Sequence, residues 1–147
     1  MAKLNKLALV RAAARARRGA VAPYSRFQVG AAQLTRSGQV LTGANVASAR
    51  YGLTCCAERV ALFNALTAGQ RDFVAVAVVA RTAGGPMPCG ACRQLLAEYA
   101  PRAAVWVADS RSLGAVRAFT VKELLPAAFV LTPKRNARRP GSARRGG

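Results

Sequence analysis

The chain has 147 residues, of which 52% are hydrophobic, and carries a formal net charge of +18 at pH 7. This length suits one domain with a real hydrophobic core and excludes a pair of ordinary domains. No apolar run reaches the ~18 residues that a membrane-spanning helix needs, so we expect no membrane segment.

The positive charge is concentrated at the two ends of the chain. Six basic residues lie within residues 1–18 and six within residues 134–147, and neither stretch contains an acid. We predict that residues 1–133 form the domain and that residues 134–147 are a basic, disordered tail. Binding of nucleic acid by counterion release is the alternative role for such ends.

Hydrophobic spacing predicts a first helix and then a β-hairpin. The helix is predicted from apolar side chains that recur at helical spacing, namely Leu4, Leu7, Ala8, Val10 and Ala14. Residues 27–35 and 40–46 follow as two strands, and the polar residues 36–39 between them form the turn.

The rest of the chain alternates helices with apolar strands. One helix is predicted over residues 56–68, ended by Gly69, with an apolar face formed by Val60, Leu62, Phe63 and Leu66. Another is predicted over residues 89–100, framed by Pro88 and Pro101. The other elements are strands over residues 73–80, 103–108 and 116–120 and a helical turn over residues 122–125. This order predicts an α/β fold, a three-layer α/β/α sandwich around a mixed five-stranded sheet.

The cysteines indicate in which cellular compartment the protein resides and what these side chains do. The chain contains four cysteines, and its N-terminal residues lack the apolar segment and small-residue cleavage site of a secretory signal. Because a reducing compartment keeps thiols free, a disulfide framework is not expected. We therefore predict a cytoplasmic protein whose cysteines bind a metal or act in catalysis.

Two cysteine-containing segments lie at the predicted start of a helix. Residues 54–59 read Thr-Cys-Cys-Ala-Glu-Arg, and residues 88–94 read Pro-Cys-Gly-Ala-Cys-Arg-Gln. The positive end of a helix dipole lowers the pKa of a thiol and favours the thiolate that zinc binds. Cys89 and Cys92 are one helical turn apart, so both sulfurs can face one point, and Cys56 completes a set of three.

Three protein ligands are typical of a catalytic zinc ion, because the fourth tetrahedral position stays open for water. A structural zinc site would need Cys55 as well. Adjacent cysteines rarely direct both side chains at one ion, so we predict that Cys55 is a small apolar filler. The predicted ligands of Zn²⁺ are therefore Cys56, Cys89 and Cys92.

Glu58 is one of only five acidic residues and lies two residues beyond the predicted ligand Cys56. A carboxylate held beside a zinc-activated water can accept a proton and return it to the substrate. We therefore predict that Glu58 is the catalytic acid and base. The alternative is an ordinary acid at a helix N-terminus, favoured by the helix dipole.

Together these segments contain the zinc deaminase signature, a Cys-x-Glu element followed by Pro-Cys-x-x-Cys. More narrowly, the chain resembles the small homotetrameric cytidine deaminases, to which the blasticidin S deaminases are a related subgroup. The resemblance extends from about residue 22 to residue 129. It includes residues 23–32 (PYSRFQVGAA), 43–46 (GANV), 51–54 (YGLT) and 124–129 (LLPAAF).

The resemblance implies hydrolytic deamination of cytidine or deoxycytidine to the uracil nucleoside and ammonia, in a homotetramer that serves pyrimidine salvage. It also implies that Phe27, Asn45, Ala57 and Phe129 bind the substrate, with Phe129 reaching a neighbouring subunit's site. Arg59 would hydrogen-bond a zinc thiolate and offset the negative charge of three thiolates on one ion. From the residues alone, both phenylalanines are predicted to be core residues.

The segment expected to bind the sugar departs from the family's pattern. The family's Asn-x-Glu-Asn, whose Glu holds the ribose 3′-hydroxyl, reads Asn-Val-Ala-Ser at residues 45–48. Ala47 offers no side-chain acceptor, and a lost charged hydrogen bond is worth about 1.5–3 kcal/mol. One alternative is therefore the same chemistry on a blasticidin S-like antibiotic, a free base or a nucleotide, and Arg50 nearby favours an anionic substrate. A second alternative is a non-catalytic zinc module that binds nucleic acid through the basic ends.

Overall fold

The computed structural model describes residues 5–133, so that Leu4 of the first predicted helix and the predicted basic tail lie outside the described residues. The elements in chain order are helix α1 (Lys6–Ala16), strands β1 (Val29–Thr35) and β2 (Val40–Ala44), helix α2 (Ala57–Thr67), strand β3 (Phe73–Ala80), helix α3 (Gly90–Tyr99), strands β4 (Ala104–Asp109) and β5 (Arg117–Thr120), and helix α4 (Val121–Leu124). Single 3₁₀ turns lie at Arg17–Gly19 and Tyr51–Leu53. Between residues 5 and 133, no helix is both long enough and apolar enough to cross a membrane.

The five strands form one mixed sheet in the order β2-β1-β3-β4-β5. Strands β3 and β4 are parallel, and the other neighbouring pairs are antiparallel. A parallel pair needs a crossover connection, which α3 supplies. Strand β3 lies at the centre of the sheet and is almost wholly buried, which explains its continuous run of Val and Ala. The predicted mixed five-stranded sheet is confirmed.

Helices cover both faces of the sheet. Helix α1 packs on one face through a cluster that includes Leu9, Val10 and Trp106. Helices α2 and α3 pack on the other face, where Leu62 and Leu96 join the buried core. The predicted three-layer α/β/α arrangement is therefore confirmed.

The first helix exists as predicted, but its buried side is rotated from the predicted one. Asn5 caps its N-terminus by accepting a hydrogen bond from the backbone N–H of Ala8 at 3.1 Å. The buried residues are Leu9, Val10, Ala12 and Ala13, whereas Ala8 is exposed. Small side chains at positions 12 and 13 let the helix approach the sheet closely, and hydrophobicity alone did not distinguish them.

Helix α2 also packs against the sheet through small residues. Ala57, Ala61 and Ala65 are fully buried, and a Cβ added to Gly43 of β2 would lie 2.4 Å from the backbone nitrogen of Ala61. The absent side chain of Gly43 therefore allows the helix to sit directly on the strand. Phe63, predicted for the apolar face, is 40% exposed, so that part of the prediction is wrong.

Two strand boundaries differ from the sequence prediction by two residues. Strand β1 begins at Val29 rather than residue 27, because Arg26 has a left-handed φ of 57° and the Ser25 hydroxyl accepts the N–H of Phe27. Strand β2 ends at Ala44 rather than residue 46. Val46 instead forms isolated bridges, parallel with Val21 and antiparallel with Cys55. The second bridge closes a loop of residues 46–55 next to the start of α2.

Candidate active site

The first turns of α2 and α3 bring three cysteines together. Cys56 is the N-cap residue of α2 and Cys89 is the N-cap residue of α3, with nearly the same backbone conformation (φ −68° in both, ψ 152° and 168°). Neither side chain caps its own helix, so both sulfurs are directed elsewhere. Cys92, one turn into α3, is buried beside them.

The distances between the sulfurs fit a single zinc ion. The Sγ atoms of Cys56 and Cys89 are 3.7 Å apart, those of Cys89 and Cys92 are 3.4 Å apart, and all three lie within 4.8 Å of one another. Tetrahedral zinc with Zn–S bonds of about 2.3 Å requires sulfurs about 3.8 Å apart. The trio therefore matches three corners of a tetrahedral site and leaves one corner for a further ligand.

The protonation states of the thiols favour metal binding. A hydrogen bond from Cys92, supported by one from the Arg59 guanidinium, lowers the pKa of Cys56 to about 5. The same shared proton raises the pKa of Cys92. The lowered pKa of Cys56 favours its thiolate, the form that binds zinc, and a divalent cation would displace the proton held by Cys92.

Glu58 lies in the first turn of α2 and is only 6% exposed. Burial raises the pKa of its carboxyl group, and the negative charge of Cys56 acts in the same direction. A buried carboxyl group without a salt bridge is costly in a structural position. Beside three metal-binding thiols, a raised pKa suits a group that must both accept and return a proton.

Arg59 joins the thiol cluster to the loop of residues 46–55. Its Nη2 donates to the sulfur of Cys56 at 3.5 Å and to the carbonyl oxygen of Thr54 at 3.1 Å. The thiolate in turn raises the pKa of the guanidinium. The structure thus places Arg59 against a predicted zinc ligand, where its charge offsets the thiolate charge.

Cys55 lies outside the group of three metal-binding cysteines found among residues 5–133. Its backbone N–H and carbonyl pair with Val46, which directs its side chain away from that of its neighbour Cys56. Burial raises the pKa of its thiol, which favours the neutral form. These features agree with the filler role predicted from the sequence.

Comparison with known proteins assigns this site to a family. The profile described as "Cytidine and deoxycytidylate deaminase zinc-binding region" matches residues 4–108. The chain belongs to the cytidine and deoxycytidylate deaminase family. Zinc as the cofactor and the predicted family are thereby confirmed.

Relatives within the deaminase family cover most of the chain. A cytidine deaminase of Halalkalibacterium halodurans is 52% identical over 126 residues, which are 86% of this chain and 95% of the relative. The crystal structure of cytidine deaminase from Burkholderia pseudomallei has a TM-score of 0.82 and 49% identity, and the match covers 86% of this chain and 100% of that one. A blasticidin-S deaminase of Bacillus cereus is 30% identical over 110 residues, covering 69% of this chain and 76% of the relative.

The residues predicted to bind substrate have different surroundings in this deaminase. Phe27 is 42% exposed and Phe129 is 67% exposed, so neither is the core residue that hydrophobicity alone predicts. Ala57 is fully buried at the start of α2, between Cys56 and Glu58. Their contacts with a substrate remain predictions.

Asn45 already makes two structural hydrogen bonds. Its Oδ1 accepts from the backbone N–H of Val29 at 2.9 Å, and its Nδ2 donates to the carbonyl oxygen of Phe27 at 2.8 Å. An amide oxygen has a second lone pair and an amide nitrogen has a second hydrogen, so one contact with a sugar stays possible at each atom. Sequence reasoning missed this role, because its partners are backbone groups 16 and 18 residues away.

Proposed function

We propose that this chain is a zinc-dependent hydrolase that deaminates a cytosine nucleoside, cytidine or deoxycytidine, to the uracil nucleoside and ammonia. One observation carries the proposal: three thiols fitted to a single zinc ion adjoin a buried carboxyl group, Glu58, at the start of the same helix. Membership of a deaminase family, and relatives named as cytidine deaminases, support the choice of reaction.

The chain's own residues would hold the metal and move the protons. Cys56, Cys89 and Cys92 would hold a zinc ion, which would activate a water molecule as a nucleophile near neutral pH. Glu58 takes a proton from this water and passes it to N3 of the cytosine ring while the water oxygen bonds to C4. Glu58 then transfers the second water proton to the exocyclic amine, the C4–N bond breaks, and ammonia leaves. The raised pKa of Glu58 allows its carboxyl group to hold each proton between these steps.

The test of this mechanism is Glu58→Gln. The amide keeps the size of the side chain but cannot carry a proton between water and substrate, so ammonia release should fall to background. Zinc content, measured by elemental analysis, and the melting temperature should stay at or above the parent values, since the buried carboxyl is not a ligand. Turnover near the parent rate would remove Glu58 from the mechanism, and lost zinc would place it in the metal site instead.

The identity of the substrate is a separate question, because Ala47 replaces the family's sugar-binding glutamate. The backbone N–H of Ala47 donates to the carbonyl oxygen of Val21, and residues 46–55 contain no acid to repel an anionic substrate. Arg50 is exposed on the same loop. These features support the second candidate, the same deamination of a cytosine nucleotide or of a blasticidin S-like compound.

A substrate panel separates these candidates. The parent enzyme is given cytidine, deoxycytidine, cytosine, deoxycytidine monophosphate and blasticidin S, and the loss of cytosine absorbance is followed. Nucleoside specificity predicts the highest kcat/KM for cytidine or deoxycytidine. A phosphate preference fails if the monophosphate reacts no faster than the nucleoside.

The same proposal includes a homotetramer, in which Phe129 of one subunit reaches the site of another. Among the described residues, the most exposed large apolar side chains are those of Tyr51 and Leu53 and of residues 129–131. Residues 129–131 line a cleft of about 890 Å³ against α3 and α4. Exposed apolar groups of this kind suit subunit contacts. Light scattering should give a mass near four times 15.4 kDa.

Residues 134–147 are proposed to be a basic tail that takes no part in small-substrate turnover. Deleting them should leave kcat and KM unchanged. If the chain instead binds nucleic acid through this segment, the deletion will reduce the salt dependence of that binding. A cytoplasmic location is proposed with it, because all four cysteines are free and three form a thiolate metal site that oxidation would destroy.

A further inference from the structure

The arginine that follows Cys92 makes two contacts that the proposed mechanism does not use. The Nε of Arg93 donates to the carbonyl oxygen of Pro88 at 2.7 Å, and its Nη1 donates to the carbonyl oxygen of Leu124 at 2.8 Å. Pro88 directly precedes the zinc ligand Cys89, and Leu124 is the last residue of α4. One side chain thus connects the metal-binding turn to a different part of the fold.

The turn that carries Cys89 has few other supports. Met87, Cys89, Gly90 and Ala91 are all exposed, and Pro88 alone is fully buried. Among residues 5–133, Arg93 is the one side chain that donates a hydrogen bond to the backbone of residues 86–91. The Arg93 guanidinium is therefore the side-chain donor that holds the backbone next to Cys89.

The neighbouring residue extends the connection toward the C-terminal segment. Gln94 Nε2 donates to the carbonyl oxygen of Phe129 at 3.2 Å. Two consecutive side chains of α3 thus hold the backbone of residues 124–129. These two side chains therefore link α3 and the metal-binding turn to the segment of residues 124–129.

We propose that Arg93 is a positioning residue for the zinc site, bracing the turn of Pro88 and Cys89 against the end of α4. The inference goes beyond the proposed function and shares with it only the assignment of Cys89 as a zinc ligand. A guanidinium suits this task because its planar array of donors reaches two carbonyl oxygens in a fixed relative direction. Lysine keeps the charge but offers a single nitrogen, and glutamine is too short to reach both oxygens.

The experiment measures how firmly zinc is held by the loaded full-length protein. Parent, Arg93→Gln, Arg93→Lys and a control, Arg71→Gln, are mixed with a coloured chelator, and the rate of zinc release is recorded. Arg71 is a matched control because its Nη1 also donates to two backbone carbonyls, those of Leu66 and Gln70, at the far end of α2. Melting temperatures are recorded in parallel.

Removal of a group that orients a metal ligand costs about 10–100-fold in metal affinity. We expect zinc release from Arg93→Gln to be faster by a factor in this range, with Arg93→Lys between it and the parent and Arg71→Gln at the parent rate. With Co²⁺ in place of zinc, the visible absorption bands should shift in Arg93→Gln, because the ligand geometry changes. A role confined to general stability would lower the melting temperature without shifting these bands.

The proposal is overturned if Arg93→Gln releases zinc at the parent rate with parent Co²⁺ bands, or if Arg71→Gln accelerates release equally. If Arg93→Gln does not fold, the same measurements are made on Arg93→Lys. A parent rate of zinc release and parent Co²⁺ bands in that variant overturn the proposal. Neither readout depends on substrate turnover. A failure of the proposed deamination would therefore leave this test intact, and the two can be distinguished.

Discussion

The two helix N-termini that form the zinc site share a backbone geometry but differ in their surroundings. Cys56 and Cys89 are both N-cap residues with the same φ of −68°. After Cys56 the first turn of α2 is buried, with Ala57 fully covered and Glu58 6% exposed. After Cys89 the first turn of α3 begins with the exposed Gly90 and Ala91.

The difference in burial suits the two turns to different tasks, proton transfer at α2 and metal binding next to solvent at α3. In the proposed mechanism Glu58 shuttles protons, and its burial in the α2 turn raises the pKa of its carboxyl group as that role requires. The α3 turn supplies two of the three sulfurs and stays open to solvent, where a substrate can approach. Each turn carries an arginine that fixes a sulfur, Arg59 by direct contact with Cys56 and Arg93 through the Pro88 carbonyl.

We expect the largest effect on zinc content and activity when a metal ligand is removed. Replacing Cys56, Cys89 or Cys92 with serine should reduce zinc from about one ion per chain to a small fraction and abolish ammonia release, because a hydroxyl group is a poor zinc ligand. Elemental analysis and a coupled ammonia assay measure both effects. The matched control is Cys55→Ser, which should keep zinc and activity near the parent values. Loss of zinc in that variant would contradict the three-ligand site.

Arg59→Gln should have the next largest effect. Without the guanidinium the pKa of Cys56 rises and the three thiolate charges are less well offset, so kcat/KM should fall by about 10–100-fold. Steady-state kinetics with zinc-loaded protein measure this change. Arg36→Gln is the control, because its ion pair with Asp72 is exposed and such pairs contribute only about 0–1 kcal/mol. Equal losses in both variants would show that Arg59 acts through general stability.

The metal-binding residues could be predicted from the sequence because their signal is local. Cys89 and Cys92 are one helical turn apart, and the adjacent Pro88 and the apolar pattern that follows mark a helix start. Cys56 and Glu58 lie two residues apart at the start of a second helix. The alternation of helices and apolar strands likewise predicted the mixed sheet and its layers, which the structure confirms.

Features that depend on contacts between distant segments could not be predicted in this way. The exposed position of Phe63 follows from the approach of α2 to Gly43, which is about 20 residues away in the chain. Asn45 and Arg93 hydrogen-bond to backbone carbonyl and N–H groups. Because almost every residue carries these groups, the residue types do not show which partner a side chain will bond. Hydrophobic spacing records which residues avoid water, but not which neighbour covers them.

The close approach of β2 to α2 predicts a smaller effect on activity than the changes at the sulfurs. In Gly43→Ala the new Cβ would lie 2.4 Å from the backbone nitrogen of Ala61, so the helix must shift. Overpacking of this kind costs about 1–3 kcal/mol of unfolding free energy. Because Cys56 and Glu58 lie one turn before Ala61, kcat should fall as well. Denaturant unfolding and kinetics measure both, and unchanged values would mean that the α2 turn is not held rigidly by the sheet.

Gly90→Ala makes the corresponding change in the α3 turn, where the smallest effect is expected. A Cβ at this position meets no atom within 4 Å, and the backbone of Gly90 is not in the left-handed region, so alanine fits without strain. Alanine also has less conformational freedom in the unfolded chain, which stabilises the fold by about 0.4–1 kcal/mol. Unfolding should therefore occur at equal or slightly higher denaturant concentration, with zinc content unchanged. A large loss of kcat with intact stability would show that substrate passes directly over Gly90, because the open side of this turn would then be the entrance that the added methyl group obstructs.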